Sequence, residues 1–357
     1  MKVAIIGTQG IPANYGGFET LVEFIIDYLP QNYEITVYCS SKDYSYKRKE
    51  YKSCKLVYIP FKANGIQSIP YDIFSLFSAA KKNDVILILG ISGCIILPFF
   101  KIFHSNKSLI INIDGLEHKR EKWNILIKKF LKVSERVAVK YGNKIITDNR
   151  EIQAYVMSEY SKKSHCIAYG GDHVKNMRLT EAVKFKYNLI DKYAFKVCRI
   201  EPENNVEMIL KSFSKLDYQL VIVGNWNHSS YGRNLKHKYS KIESIKLLDA
   251  IYDQTILNQI RSNCSIYIHG HSAGGTNPSL VEAMNLSLPV FAYDVSYNKS
   301  TTFNKAKYFK NSDELIQLVK TVDDVVLGQL GTEMKDIAMR NYTWGIIAQE
   351  YEKLFAL

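Results

Sequence analysis

Short apolar runs and amphipathic stretches alternate along this chain from its first residues. Runs rich in Val, Ile and Leu at 2–7, 35–39, 55–59, 85–89, 109–113 and 144–147 read as buried strands. Between them apolar residues return every three or four positions, at 17–29, 72–81 and 124–141, as in a helix with one buried face. A second series follows residue 171, with strand patterns at 194–199, 219–223, 244–247, 265–268 and 288–292 and helical ones at 205–215, 256–263 and 279–286. Strands that alternate with helices predict parallel sheets covered on both faces. The simplest reading is two doubly wound α/β domains, hinged near Tyr169-Gly170-Gly171-Asp172. In open α/β sheets ligands bind outside the carboxyl ends of the strands. Two such domains facing each other would hold a ligand in a central cleft.

One segment imitates a membrane span. Residues 85–100, VILILGISGCIILPFF, carry no charge. The run is shorter than the ~20 residues of a spanning helix. Gly90, Ser92, Gly93 and Pro98 also interrupt it. A buried strand, a Gly-rich turn and the start of an apolar helix fit better.

At 357 residues the chain has room for two domains. Its 46% hydrophobic and 23% charged residues are ordinary for a globular protein and argue against disorder. Six cysteines, Cys39, Cys54, Cys94, Cys166, Cys198 and Cys264, are scattered without C-x-x-C or metal-ligand spacing. They read as reduced core residues. Met1-Lys2 leads directly into Val3-Ala4-Ile5-Ile6, a strand pattern with no signal peptide, which predicts a cytoplasmic protein.

The net charge of +12 is uneven. Residues 1–171 hold 24 Lys and Arg against 15 Asp and Glu, a surplus of +9, which leaves +3 for residues 172–357. A basic first half suits a phosphate-bearing acceptor or peripheral contact with an anionic membrane, although a solvated lysine surface would look the same. No helix-turn-helix, RNA-binding sheet motif or zinc module points to nucleic acid.

Four segments carry candidate chemistry. After the first strand, Gly7-Thr8-Gln9-Gly10-Ile11-Pro12 runs on to Tyr15-Gly16-Gly17-Phe18-Glu19 and a helix start. Such a loop brings backbone N–H groups to an anion, yet its glycines do not fit the dinucleotide fingerprint. Past the strand at 109–113 stands Asp114-Gly115-Leu116-Glu117-His118-Lys119-Arg120-Glu121-Lys122-Trp123, where Asp114 is the foremost candidate and a charged helix start is the plainer alternative. In Cys198-Arg199-Ile200-Glu201-Pro202-Glu203-Asn204-Asn205, Arg199 closes a strand and could grip a phosphate bidentately. The fourth segment is His269-Gly270-His271-Ser272-Ala273-Gly274-Gly275-Thr276-Asn277-Pro278-Ser279-Leu280-Val281-Glu282-Ala283-Met284. Here a Gly-rich loop opens a helix, an anion-binding arrangement, and Glu282 could accept hydrogen bonds from a ribose diol. The two histidines lack a third ligand, so no metal site is expected.

Together these segments resemble the retaining GT-B glycosyltransferases of family 4, and more closely its bacterial capsule and exopolysaccharide rhamnosyltransferases. The marks GTQGIPANYGGFET, DGLE-x-KR-x-KW, CRIEPENN and HGHS-x-GGTNPSL-x-EAM stand here at 7–20, 114–123, 198–205 and 269–284. The resemblance implies a GT-B fold with an acceptor-side domain over 1–171, a nucleotide-sugar domain over 172–340, and a closing helix over 341–357 that returns to the first domain. It implies donor contacts from Gly16, Gly17, Arg199, Asn204, Gly274, Gly275, Thr276, Asn277 and Glu282, with Leu248-Asp249-Ala250-Ile251 near the base. Asp114 and Arg199 would be catalytic, and Glu117, His118, Lys119 and Arg120 would face the acceptor.

Three positions depart from the wider family. Its usual glutamate eight residues before Glu282 is Gly274, its lysine partner to Arg199 is Asn204, and its histidine after the fifth strand is Asp114. No Asp-x-Asp motif occurs, so no metal clamp and no cofactor are expected. Positive charge and helix N-termini would then stabilise the leaving diphosphate. The implied reaction moves a hexosyl group, rhamnosyl from dTDP-L-rhamnose, to a lipid-diphosphate-linked saccharide. Two other functions share the architecture: a sugar-nucleotide epimerase, which needs no acceptor, and a non-catalytic sugar-nucleotide-binding module.

Overall fold

The computed structural model describes residues 1–13, 16–120 and 123–356. Of the residues singled out above, Tyr15, Glu121 and Lys122 lie outside these ranges. The chain divides into two compact units, 1–169 with 344–357 and 170–343.

The first unit is built on strands β1 (Lys2–Ile6), β2 (Glu34–Ser40), β3 (Glu50–Tyr51), β4 (Cys54–Ile59), β5 (Val85–Leu89), β6 (Ser108–Asn112), β7 (Lys144–Thr147) and β8 (His165–Cys166). They form one sheet in the order β3-β4-β2-β1-β5-β6-β7-β8. All pairs are parallel except β3 with β4. Every residue of β5 is buried, which is why its sequence is a continuous apolar run. Helices α1 (Gly17–Tyr28), α2 (Ser68–Ala80), α3 (Leu97–Phe103), α4 (Ile125–Tyr141) and α5 (Arg150–Tyr160) connect the strands. The uncharged run at 85–100 thus divides into β5, a turn and α3. No helix among the described residues is long and apolar enough to cross a membrane.

The second unit opens with α6 (Glu181–Tyr187) and then alternates strictly: β9 (Tyr193–Val197), α7 (Val206–Phe213), β10 (Gln219–Val223), α8 (Ser230–Tyr239), β11 (Ile245–Leu248), α9 (Gln254–Ser262), β12 (Ile266–His269), α10 (Pro278–Asn285), β13 (Val290–Tyr293), α11 (Ser296–Thr301) and β14 (Lys307–Phe309). Its sheet runs β11-β10-β9-β12-β13-β14, parallel throughout. Helices α12 (Ser312–Thr321) and α13 (Asp324–Asn341) complete it.

Helix α14 (Trp344–Ala356) belongs to the first unit. Trp344 stacks on Phe24 of α1 with ring centroids 5.1 Å apart, and Phe355 reaches Tyr33 at 6.1 Å. Lys144 on β7 donates from Nζ to the Leu354 carbonyl at 2.5 Å.

One expectation and one alternative reading need correction. Cys39, Cys54, Cys94 and Cys264 are buried free thiols, but Cys198 is half-buried and Cys166 is exposed, because β8 is a two-residue strand at the sheet edge. Residues 117–119 form a single 3-10 turn rather than the start of α4, which begins after Asn124 caps the Ile127 N–H at 3.0 Å.

Candidate functional site

In the first unit the glycine loop leads from β1 into α1. Gly16 is the residue before the helix, with φ 126°, and a Cβ there would lie 1.9 Å from Glu19 Oε2. Only glycine fits that position. Glu19 is buried and accepts from Thr8 Oγ1 at 2.8 Å and from the Gln9 N–H at 2.6 Å. Burial pushes its carboxyl above the usual range, against those hydrogen bonds. The loop therefore carries its own carboxylate, and Gly16 and Gly17 remain half-buried at the helix start.

Asp114 follows β6 in a left-handed conformation, φ 55°. Its N–H donates to Asn112 Oδ1 at 3.0 Å, and Asn112 Nδ2 donates to the Tyr351 hydroxyl of α14 at 3.0 Å. Tyr169 donates its hydroxyl to Asp114 Oδ1 at 3.3 Å. Burial raises the Asp114 carboxyl, with Glu117 adding to the rise and Arg120 opposing it. Tyr169 and Tyr351 were not foreseen. Each is remote in sequence from Asp114, and only the fold brings them to the carboxyl end of β6.

The four acceptor-side candidates separate into two pairs. Glu117 Oε1 lies 2.9 Å from Arg120 Nε and accepts from Trp123 Nε1 at 3.2 Å, so these two charges hold one another. His118 Nδ1 lies 3.0 Å from Glu135 Oε2. Lys119 Nζ sits 5.1 Å from the centre of the Tyr155 ring. Glu135 is buried and also accepts from the hydroxyls of Tyr155 and Tyr160, at 2.7 and 2.5 Å. Burial would push this carboxyl up, but the bonds from His118, Tyr160 and Tyr155 outweigh it and hold it below the usual range.

In the second unit the candidates gather at the carboxyl ends of β9 and β12. Arg199 lies just past β9, is exposed, and its guanidinium pairs with no carboxylate among the described residues. Asn204 is buried. Its Nδ2 donates to the Arg199 carbonyl at 2.9 Å, and its Oδ1 lies 3.2 Å from His271 Nδ1. The Asn204 amide thus bonds both the Arg199 turn and the His271 ring.

Gly274 has φ 112°, and a Cβ there would sit 3.2 Å from His271 Nε2. Gly275 and Thr276 are buried, with Thr276 Oγ1 3.4 Å from Thr301 Oγ1. Asn277 caps α10 by accepting from the Ser279 N–H at 3.0 Å and from its hydroxyl at 2.8 Å, so its side chain serves the helix. Asp249, past β11, pairs with Lys236 at 2.8 Å.

Glu282 is held by two residues that sequence reasoning missed. Arg261 of α9, almost fully buried, donates from Nη1 to Glu282 Oε2, and His173 Nε2 lies 3.3 Å from Oε1. Burial pushes the Glu282 carboxyl up, but Arg261 and then His173 outweigh it and keep it below the usual range. Also missed is Lys196 of β9, 1% exposed with no carboxylate beside it among the described residues, whose ammonium burial pulls down. His269 is equally buried, and burial pulls its imidazole well down, which leaves the ring neutral, with no hydrogen-bond partner for Nε2 among the described residues.

Residues 1–172 match a family described as a domain of unknown function (DUF1972), and residues 180–341 match Glycosyl transferases group 1. Protein CapJ of Staphylococcus aureus is 26% identical over 201 residues, 54% of this chain and 50% of its own, so the chain spans about half the length of that relative. Sucrose-phosphate synthase of Thermosynechococcus elongatus superposes over 99% of both chains with a TM-score of 0.82 at 15% identity. HepE of Anabaena, solved with UDP, superposes over 100% of both chains with a TM-score of 0.76 at 13% identity. These likenesses carry the fold. The chain has the two parallel-sheet α/β domains of the GT-B fold, and the stretch 180–341 is similar to Glycosyl transferases group 1.

Proposed function

We propose that the whole protein is a retaining glycosyltransferase that moves a hexosyl group, rhamnosyl from dTDP-L-rhamnose, onto a lipid-diphosphate-linked saccharide in capsule or exopolysaccharide synthesis. The observation that carries the reading is Arg199: an exposed guanidinium that pairs with no carboxylate among the described residues, at a strand's carboxyl end in the stretch similar to Glycosyl transferases group 1. Such a group suits a diphosphate, whose oxygens can take a guanidinium bidentately. HepE's structures with UDP and UDP-glucose support a nucleoside-diphosphate sugar as donor. The match to Protein CapJ supports the place in capsule synthesis. The rhamnosyl donor and the lipid-linked acceptor rest on the motif resemblance.

In the proposed reaction the bond from the sugar's anomeric carbon to the diphosphate oxygen breaks as the acceptor oxygen attacks from the same face. The acceptor's proton passes to the leaving phosphate oxygen. Arg199 and the amides of Gly274 and Gly275 take up the charge that develops there, without a metal ion. Glu282, oriented by Arg261 and His173, receives the ribose hydroxyls. Asp114 orients the acceptor hydroxyl or the sugar.

The test is a donor panel of dTDP-rhamnose, UDP-glucose, UDP-GlcNAc, UDP-galactose and GDP-mannose, each with and without a glucosyl-diphosphate lipid, in EDTA. Turnover of dTDP-rhamnose only when acceptor is present supports the proposal. Conversion of a donor without acceptor would replace it with an epimerase.

A further inference from the structure

Helix α3 turns large apolar side chains to the outside. Phe99 is 52% exposed, Ile102 72%, and Phe103 is also exposed. The buried face of the same helix, Leu97 and Phe100, explains its folding but not these three. Their rings and branches form one surface, since Phe99 and Phe103 pack edge to face at 5.0 Å and Phe99 meets Phe77 of α2 at 6.4 Å.

Helix α4 packs beside α3. Its exposed positions recur at three- and four-residue spacing: Leu126 at 73%, then Lys129, Val133, Arg136 and Lys140. The outward row therefore mixes apolar and basic residues. The helix's one acid, Glu135, is buried against His118, Tyr155 and Tyr160, and α3 has no acid. The outward residues of the two helices are apolar and cationic, and the carboxylate beside them, Glu159 of α5, is paired with Lys132.

That composition selects its partner. A second copy docked symmetrically would set the basic row of one α4 against that of the other. A bilayer interface with anionic lipids offers apolar chains to the phenylalanines and phosphates to the lysines and arginine. We propose that α3 and the outward row of α4 seat the protein on an anionic lipid bilayer. The proposal deepens the lipid-linked acceptor reading without depending on it, because vesicle binding is read separately from sugar transfer.

The experiment sediments the full chain with vesicles of phosphatidylglycerol or of phosphatidylcholine. Strong binding to the first and weak binding to the second is expected. The triple variant Phe99→Ser, Ile102→Ser, Phe103→Ser should lose about tenfold or more in vesicle affinity. Lys129→Glu with Arg136→Glu should abolish the preference for phosphatidylglycerol. These side chains are exposed, so an unchanged thermal midpoint is expected and checks the fold of each variant. Equal binding to the two lipids, or a folded triple variant that binds like the parent, overturns the proposal. So does a parent dimer that the triple variant dissociates while neither form binds vesicles.

Discussion

Arg261 on α9 and Glu282 on α10 form an ion pair inside the second unit, with the arginine almost wholly removed from water and His173 at the second carboxylate oxygen. Removing one partner strands the other. Arg261→Met should cost about 3 kcal/mol of folding stability, and the double variant with Glu282→Gln should recover part of that loss. Urea unfolding followed by circular dichroism measures both.

The same pair sets an acid limit. Glu282 titrates below its ordinary value of 4.5 in the folded protein. The stability it contributes is therefore full above that value and is lost as pH falls through the lower, folded one. Glu282→Gln should flatten the stability profile in that acid window. A profile identical to the parent's would mean that the pair adds nothing.

Arg199→Ala should weaken donor binding by about tenfold or more, since it removes charge-assisted bonds to phosphate. Arg199→Lys should recover only part, because a point charge cannot match two oxygens at once. Folding should be unaffected, as the side chain is exposed and pairs with no carboxylate among the described residues. Calorimetry with the nucleoside diphosphate checks the first two statements and a melting curve the third.

At Asp114 activity and stability should move in opposite directions. Burial raises this carboxyl, so the folded protein binds its proton more tightly than the unfolded chain, and stability falls as pH rises from the ordinary value through the raised one. Asp114→Asn removes that penalty and should stabilise the fold by about 0.5–1 kcal/mol near neutral pH. Turnover should fall if the carboxylate orients the acceptor. Undiminished turnover would remove Asp114 from the mechanism.

Gly274 stands where the wider family has a glutamate, yet the glutamate cannot simply be restored. With φ 112° and a Cβ position 3.2 Å from His271 Nε2, both Gly274→Ala and Gly274→Glu should cost about 1–2 kcal/mol and weaken donor binding. Melting curves and donor calorimetry on the two variants decide this.

Much of the fold was legible because parallel strands are written as unbroken apolar runs. The stretches at 85–89, 144–147 and 219–223 are observed as β5, β7 and β10 with the same limits. The two-residue strands β3 and β8 are too short to carry any period. The glycine loops could be read from composition, whereas the pairing of Glu117 with Arg120 shows only in the folded turn. What could not be read was the company each site residue keeps. His173 and Arg261 reach Glu282 from a linker and from another helix, and the burial of Lys196 shows only once helices cover its strand.

Helix α14 completes the first unit, yet the ribosome makes it only after residues 170–343. At ~5–20 residues per second the wait is on the order of ten to thirty seconds. Throughout that time Phe24 and Tyr33 lack their aromatic partners and Asn112 lacks the Tyr351 hydroxyl. The nascent first half is then an unfinished body with an open seam. A chain stalled within the second unit would hold that seam open to chaperones and proteases, so the first unit finishes folding only when synthesis has passed the second.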